Sequence, residues 1–213
     1  NYSESMWSDE MNIPFYPQST SFTCDPACLM MVLKYFNPKI SLSQELEFDI
    51  WRESYGIGIP GCMPQGLAYS ALLRGLNTTL ICKRKGIIQI SNKLAKGENR
   101  RVALFTSKGL LEKAKKKGME LINKNPDLND IENALDKNEI PLVMIHMKLL
   151  HKEDSPHWIV VTGIDNKSVW INDPYNKKGK DVKVSRNDLI RMMNDLKLYS
   201  KIEKRILIIS RKE

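Results

Sequence analysis

The chain has 213 residues, 42% of them hydrophobic and 8% aromatic, with 33 Lys and Arg against 25 Asp and Glu for a net charge of +8. That is ordinary for a globular protein, and the expected organisation is a single domain over residues 1–213 with an irregular lead-in over 1–12. No apolar run approaches the ~20 residues of a membrane span, and the four cysteines have neither a disulfide-framework nor a zinc-ligand spacing. The chain therefore reads as a reduced, cytoplasmic protein with no membrane partner.

It begins with Asn, and NYSESMWSDE is polar and acidic, without a signal-peptide pattern. Ile13, Phe15 and Tyr16, set between Pro14 and Pro17, predict an extended segment packed along the domain. In QSTSFTCDPACLMMVLKYF, Thr23 and Asp25 can cap and Pro26 suits a first turn. Ala27, Leu29, Met30, Met31, Leu33 and Phe36 then predict a buried helix that stops at Asn37-Pro38. Ser41, followed by Gln44 and Glu45, predicts a second helix that buries Leu42, Leu46, Ile50 and Trp51 and ends near Gly56. The glycine-rich loop GIGIPGC leads into a helix over 63–74 that Gly75 ends.

Strands are expected over 78–82 and 102–105, and a basic helix over 110–123 with Leu111, Ala114, Leu121 and Ile122 inward. A short helix from Asn129 or Asp130 to Leu135 precedes the apolar strand PLVMIHM, read as central. Strands over 157–164 and 168–172 form a hairpin about Asp165-Asn166-Lys167. An edge strand over 182–184, a Ser185-capped helix with Leu189, Ile190 and Met193 inward, and a strand over 205–210 close the chain. Helices first and mostly consecutive antiparallel strands afterwards define the α+β class, with N-terminal helices packed on a mostly antiparallel sheet. The lysines of 108–117 and 201–212 read as a solvated helix face and a basic tail. No RNP-like aromatics or zinc knuckle accompany them, so nucleic acid is not an expected partner.

The chemistry gathers around Cys24. A cysteine at the start of a buried helix feels the positive end of the helix dipole, which favours the nucleophilic thiolate. Gln18, six positions upstream, can offer its amide to an oxyanion. Of the three histidines, His146 lies inside an apolar strand and reads as a core or sheet-face residue, and His151 in LLHKED reads as solvated. His157 opens a strand after Ser155-Pro156 and is the expected base for the Cys24 proton. The hairpin is expected to set Asp173 opposite His157, close enough to orient its ring, whereas Asp165 belongs to the turn. Trp158, Cys62 and Tyr175 are expected to line the site, and Cys28 to lie in the core.

With these residues in order, the chain resembles the peptidase C39-like proteins of the papain-like clan, the soluble members more than the double-glycine leader peptidases fused to ABC transporters. IPFYPQSTSFTCDPACLMM, GCMPQGLAYSALLRG, IPLVMIHMKLLHKEDSPHWIVVTGID and INDP carry the resemblance. It implies a papain-like cysteine proteinase fold, a peptide or protein substrate, no metal or organic cofactor, and the roles of nucleophile, base, orienter and oxyanion donor for Cys24, His157, Asp173 and Gln18. The family pattern has glycine directly after the nucleophile, where this chain has Asp25. A carboxylate there opposes ionisation of the thiol and points to a helix cap, an altered specificity or a chain that binds without cutting. The expected activity is hydrolysis of a peptide or other amide bond through a thioester, with acyl transfer to an amine and catalytically silent peptide binding as alternatives.

Overall fold

The computed structural model describes residues 11–59, 61–83, 90, 92 and 95–212; most of the predicted lead-in over 1–12 lies outside them. Three helices come first: α1 (Cys24–Phe36), α2 (Gln44–Ser54) and α3 (Pro64–Leu73). Then follow β1 (Leu76–Cys82), α4 (Gly97–Lys117), β2 (Glu120–Ile122), α5 (Leu128–Leu135), β3 (Ile140–His146), α6 (Lys148–His151), β4 (Pro156–Ile164), β5 (Ser168–Asn172), β6 (Val182–Ser185), α7 (Arg186–Asp195) and β7 (Arg205–Arg211). The strands form one sheet in the order β2-β1-β7-β3-β4-β5-β6. Among the described residues only the β1–β2 pair is parallel.

Strand β3 is central, as its composition predicts. Every one of its residues is buried, because α1 and α5 or α7 cover it as well as its two strand neighbours. Full burial of each Leu, Val or Ile there is worth about 1.5–3 kcal/mol. Helix α1 is buried from Asp25 to Leu33 and packs on β4, which places its N-terminus beside the strand that starts at Pro156. Strand β7 comes last in sequence yet slots between β1 and β3. The chain end thereby joins the early and late parts of the sheet.

Several local expectations differ from the structure. Residues 102–105 belong to α4, not to a strand. A short apolar run does not distinguish helix from strand, and the deciding period is Ala103, Ser107 and Ala114 buried together while Phe105 is 78% exposed. Gln65 of α3 fixes that face by donating to Ser107 Oγ at 2.6 Å. Helix α4 stops at Gly118, whose φ of 108° is left-handed, so Leu121 and Ile122 fall in β2 instead. Helix α2 is capped by Ser43, not Ser41, through Leu46 N–H, and α5 by Asp127 in a reciprocal capping box with Asp130. In α7, Met192 is buried and Ile190 is 40% exposed. The lysines of α4 at 108, 113 and 115–117 are exposed, as read from the sequence.

Candidate active site

Residue Cys24 is the first residue of α1, with Thr23 as the N-cap. It is half-buried, and its thiol donates to Asp25 Oδ1 at 3.5 Å. Asp25 does not cap the helix through its side chain. It is 2% exposed, and its Oδ2 accepts the Cys62 N–H at 2.7 Å, so it ties α1 to the loop before α3. That loop is held in turn by Met63 N–H on Ser54 O at 2.9 Å. A Cβ on Gly66 would collide with the same Ser54 backbone.

The same carboxylate sets the thiol chemistry. Burial is the largest cause pushing the Cys24 thiol well above its ordinary pKa, and the Asp25 charge adds to it; hydrogen bonds from the Trp158 and Asp25 backbones pull the other way. Burial also raises Asp25, against the pull of backbone N–H groups and Cys62. Cys62 is buried and raised by desolvation and then by Asp25. All four cysteines are free thiols. Cys28 is a core residue, as expected, with its thiol donating to Trp158 O at 3.3 Å. Two thiols of α1 thus lie against the backbone of the residue that follows His157.

On β4, His157 is 2% exposed and its Nε2 lies 2.7 Å from Asp173 Oδ1. The pairing arises differently from the hairpin estimate. Asn172 is the last paired residue of β5 and faces Val160, with a register shift between Val161 and Gly163. Asp173 is therefore one residue past the ladder, not directly across from His157, and its carboxylate reaches back as the chain turns at Pro174. The turn holds it closely: Asp173 N–H donates to Gly179 O at 2.7 Å, and Tyr175 N–H donates to Asp173 Oδ1 at 3.0 Å. Gly179 is required there, because a Cβ would overlap the Asp173 carbonyl. Burial raises the Asp173 carboxyl, but the His157 hydrogen bond and charge, the Tyr175 N–H and a bond from His151 together bring it below its ordinary value. An ionised carboxylate only accepts, so His157 donates from Nε2 and keeps Nδ1 for proton exchange. Among the described residues no hydrogen bond joins Cys24 to His157.

His151 is the residue that sequence reasoning missed. It is not solvated: it ends α6, and its Nε2 lies 2.6 Å from Asp173 Oδ2. Position in a charged segment hid it. The available signal was its place six residues before His157, which a short helix and turn fold back over the strand start. His146 is fully buried, with Nε2 on Asp154 and Nδ1 accepting from Lys148 N–H.

Gln18 reaches the same region through its backbone, donating to Pro174 O at 2.9 Å. Its Nε2 donates to Thr20 O at 2.7 Å. That uses one of the two amide N–H groups. Glu47, fully buried, fastens this segment by accepting Ser19 N–H and Tyr16 O–H. Trp158 is 3% exposed and lines a cavity of about 70 Å³ together with Cys24, Asp25, Cys62, Met63 and Arg205. Tyr175 is 38% exposed and lies outside that cavity, its ring centre 4.4 Å from that of His151. Among the described residues no helix is long and apolar enough to cross a membrane.

Solved structures similar to this chain include a double glycine motif protease from an AMS/PCAT transporter in complex with the leader peptide, at 19% identity over 95% of this chain and 94% of that one, with a TM-score of 0.48. Another is the peptidase domain of Streptococcus ComA, a bi-functional ABC transporter involved in a quorum sensing pathway, at 16% identity over 94% and 99%, with a TM-score of 0.47. No curated protein matches the sequence. A family model described as the Peptidase_C39 like family matches residues 13–205, which is most of the chain. That match, over a chain of leading helices and a mostly antiparallel α+β sheet, shows that the chain belongs to the Peptidase_C39 like family.

Proposed function

We propose that the chain is a cysteine hydrolase that cleaves a peptide or other amide bond through a thioester on Cys24. The observation that carries this reading is the buried His157 Nε2–Asp173 Oδ1 bond of 2.7 Å, on the strand against which the Cys24 helix packs. His157 Nδ1 takes the thiol proton as the sulfur attacks the carbonyl carbon. The negative charge that forms on the carbonyl oxygen is met by the Cys24 N–H, which has no acceptor within the first turn of α1, and by the remaining Gln18 N–H. Collapse breaks the C–N bond, and His157 returns the proton to the departing amine. Water then gives His157 a proton and attacks the thioester, which releases the acid and regenerates the thiol. Asp173 stabilises the imidazolium in each half. The reading uses no metal or organic cofactor. The cavity walled by Trp158, Cys62 and Asp25 receives part of the substrate, and Tyr175 lies at the exposed side of His151.

Asp25 favours one second reading, a peptide-binding relative that does not cut, because its charge works against the thiolate. The two are separated by the modification rate of each thiol, resolved by mass spectrometry, in the chain and in His157→Ala. The hydrolase reading expects Cys24 to react faster than Cys28, Cys62 and Cys82, and to lose about 10²–10⁴ in rate without its base. A Cys24 no faster than its buried neighbours, and unchanged by His157→Ala, overturns it in favour of binding. Added amines, if they capture the acyl group in place of water, convert the assignment from hydrolase to acyl transferase with the same site.

A further inference from the structure

We propose that His151 is a positioning residue of this site: it holds the second oxygen of Asp173 and thereby aims the first at His157. The inference rests on the hydrolase reading for its catalytic consequence, but its structural part stands alone. The two imidazoles bind the two oxygens of one carboxylate, Oδ1 to His157 Nε2 at 2.7 Å and Oδ2 to His151 Nε2 at 2.6 Å. The ring centres are 6.2 Å apart and nearly perpendicular. The 2.7 Å separation is at the short end of the range for charge-assisted N–H···O bonds and the 2.6 Å separation lies just below it.

A carboxylate with one partner rotates about its Cβ–Cγ bond. A carboxylate gripped at both oxygens does not, and a general base needs its orienter fixed within a few tenths of an ångström. The arrangement holds for a cationic His151 and for a neutral ring in its Nε2–H tautomer, both of which donate from Nε2 to the carboxylate.

The surroundings are built to keep His151 in place. Its side chain is 15% exposed. Its backbone N–H donates to Met147 O at 2.8 Å, which fixes it in α6. Tyr175, whose N–H also binds Asp173 Oδ1, lays its ring against the imidazole at 4.4 Å between centres. The hydroxyl of that tyrosine bonds to Glu153. The charged and titratable groups packed about His151 are therefore Asp173 and Tyr175 from the turn after β5, His157 from β4, and Glu153 from the segment after α6. Lys148, on its own helix, lies over the Tyr199 ring instead. The arrangement is a His-Asp pair with a second histidine behind the acid, held by contacts through Asp173 and Tyr175.

The experiment uses the full chain and four variants: His151→Ala, His151→Gln, Asp173→Asn and His157→Ala. Gln keeps an N–H donor near the Nε2 position and does not titrate. Proton NMR of the ring N–H groups reads the bonds directly. The proposal expects two hydrogen-bonded imidazole N–H signals assigned to His151 and His157, one lost in His151→Gln and both shifted or lost in Asp173→Asn. In the thiol assay, His151→Ala is expected to slow Cys24 by about 10-fold or more, with His151→Gln recovering most of the rate. The acid limb of the rate profile should move to higher pH in His151→Ala, because Asp173 loses a donor that favours its ionised form, and move less in His151→Gln. Equal rates and identical acid limbs in the wild type and His151→Ala overturn the positioning role. So does a His151 ring N–H that exchanges freely with water. If His157→Ala leaves Cys24 reactivity unchanged while both ring signals depend on Asp173, the shared carboxylate holds and the hydrolase reading is what fails.

Discussion

Replacing Asp25 by Asn is the most direct test of how Cys24 is controlled. The Asp25 carboxylate accepts from the Cys24 thiol at 3.5 Å and from the Cys62 N–H at 2.7 Å. Asn keeps an oxygen for Cys62 and turns its amide donor toward the sulfur, so the loop stays anchored while the charge is removed. A unit negative charge 3.5 Å from a thiolate opposes it by about 1 kcal/mol at the dielectric of water and about 5 kcal/mol at an effective value of 20. Removing that charge lowers the thiol pKa, while the burial that is the larger cause remains. Each unit of lowering raises the thiolate fraction tenfold at neutral pH, but a less basic thiolate is about 3-fold less nucleophilic. The net expectation is that Asp25→Asn reacts about 3- to 50-fold faster at pH 7. The assay is exchange with a small aromatic disulfide, followed on the Cys24 peptide by mass spectrometry, as a function of pH. The other three thiols serve as internal controls. A folded Asp25→Asn with the wild-type rate and pH profile would refute the reasoning and would leave burial as the sole cause of the raised thiol.

Other substitutions probe the frame of the site. Asp173 lies below its ordinary pKa, so its contribution to stability is fully present above the unfolded value near pH 4 and is lost as pH falls through the native value. The difference in Tm between the wild type and Asp173→Asn should thus be largest above about pH 5 and shrink on acidification; a difference that does not vary with pH counts against an ionised, bonded Asp173. Gly66→Ala drives a methyl group into the Ser54 backbone. It should cost about 1–3 kcal/mol, read as a drop of several degrees in Tm, and a wild-type melt would show that α2 and α3 can move apart freely. Gly179→Ala displaces the Asp173 carbonyl and should reduce Cys24 reactivity with a smaller loss in Tm than Gly66→Ala, an order that a comparison of the two variants checks.

Elements with a strong local period or a distinct stop were legible in the sequence. The buried face of α1, the Asn37-Pro38 stop, the hairpin about Asp165 and the wholly apolar β3 follow from residue type alone. The turn at Asp165 forms as expected, with its carboxylate accepting the Lys167 and Ser168 N–H groups. Residues 102–105 were not legible, because four apolar or small residues fit either period and the helix is chosen by Gln65 packing on Ser107 from another element. The site was legible as a set of residue types and not as a geometry. His157 and Asp173 stood out, but the bulge between Val161 and Gly163 changes the register on which their pairing was estimated. His151 looked solvated because its partner is 22 residues away in sequence, and a charged neighbourhood gives no sign of a fold-back. Asp25 was recognised as an anomaly, yet its bond to Cys62 N–H depends on a loop 37 residues downstream.

Magnitudes decide the resting state of the nucleophile. The helix terminus favours a thiolate at Cys24 by about 0.3–1 kcal/mol, up to about 2 in favourable buried geometry. Against it stand the Asp25 carboxylate, at about 1–5 kcal/mol over 3.5 Å, and the desolvation that is the largest cause of the raised thiol. The opposing effects win, so the expectation of a dipole-stabilised thiolate does not carry over to this chain. Burial and the Asp25 charge both hold the Cys24 thiol up, so under the proposed hydrolysis its proton leaves as the carbon–sulfur bond forms. That requirement places the demand on the base. A buried imidazole whose far nitrogen is fixed on Asp173, with Asp173 itself fixed by His151 and the Tyr175 N–H, is suited to accept a proton in the transition state. Its imidazolium forms against an anion already in place, without reorganisation. Under the proposed hydrolysis, the aspartate that this chain carries after Cys24 calls for general-base attack by a protected thiol.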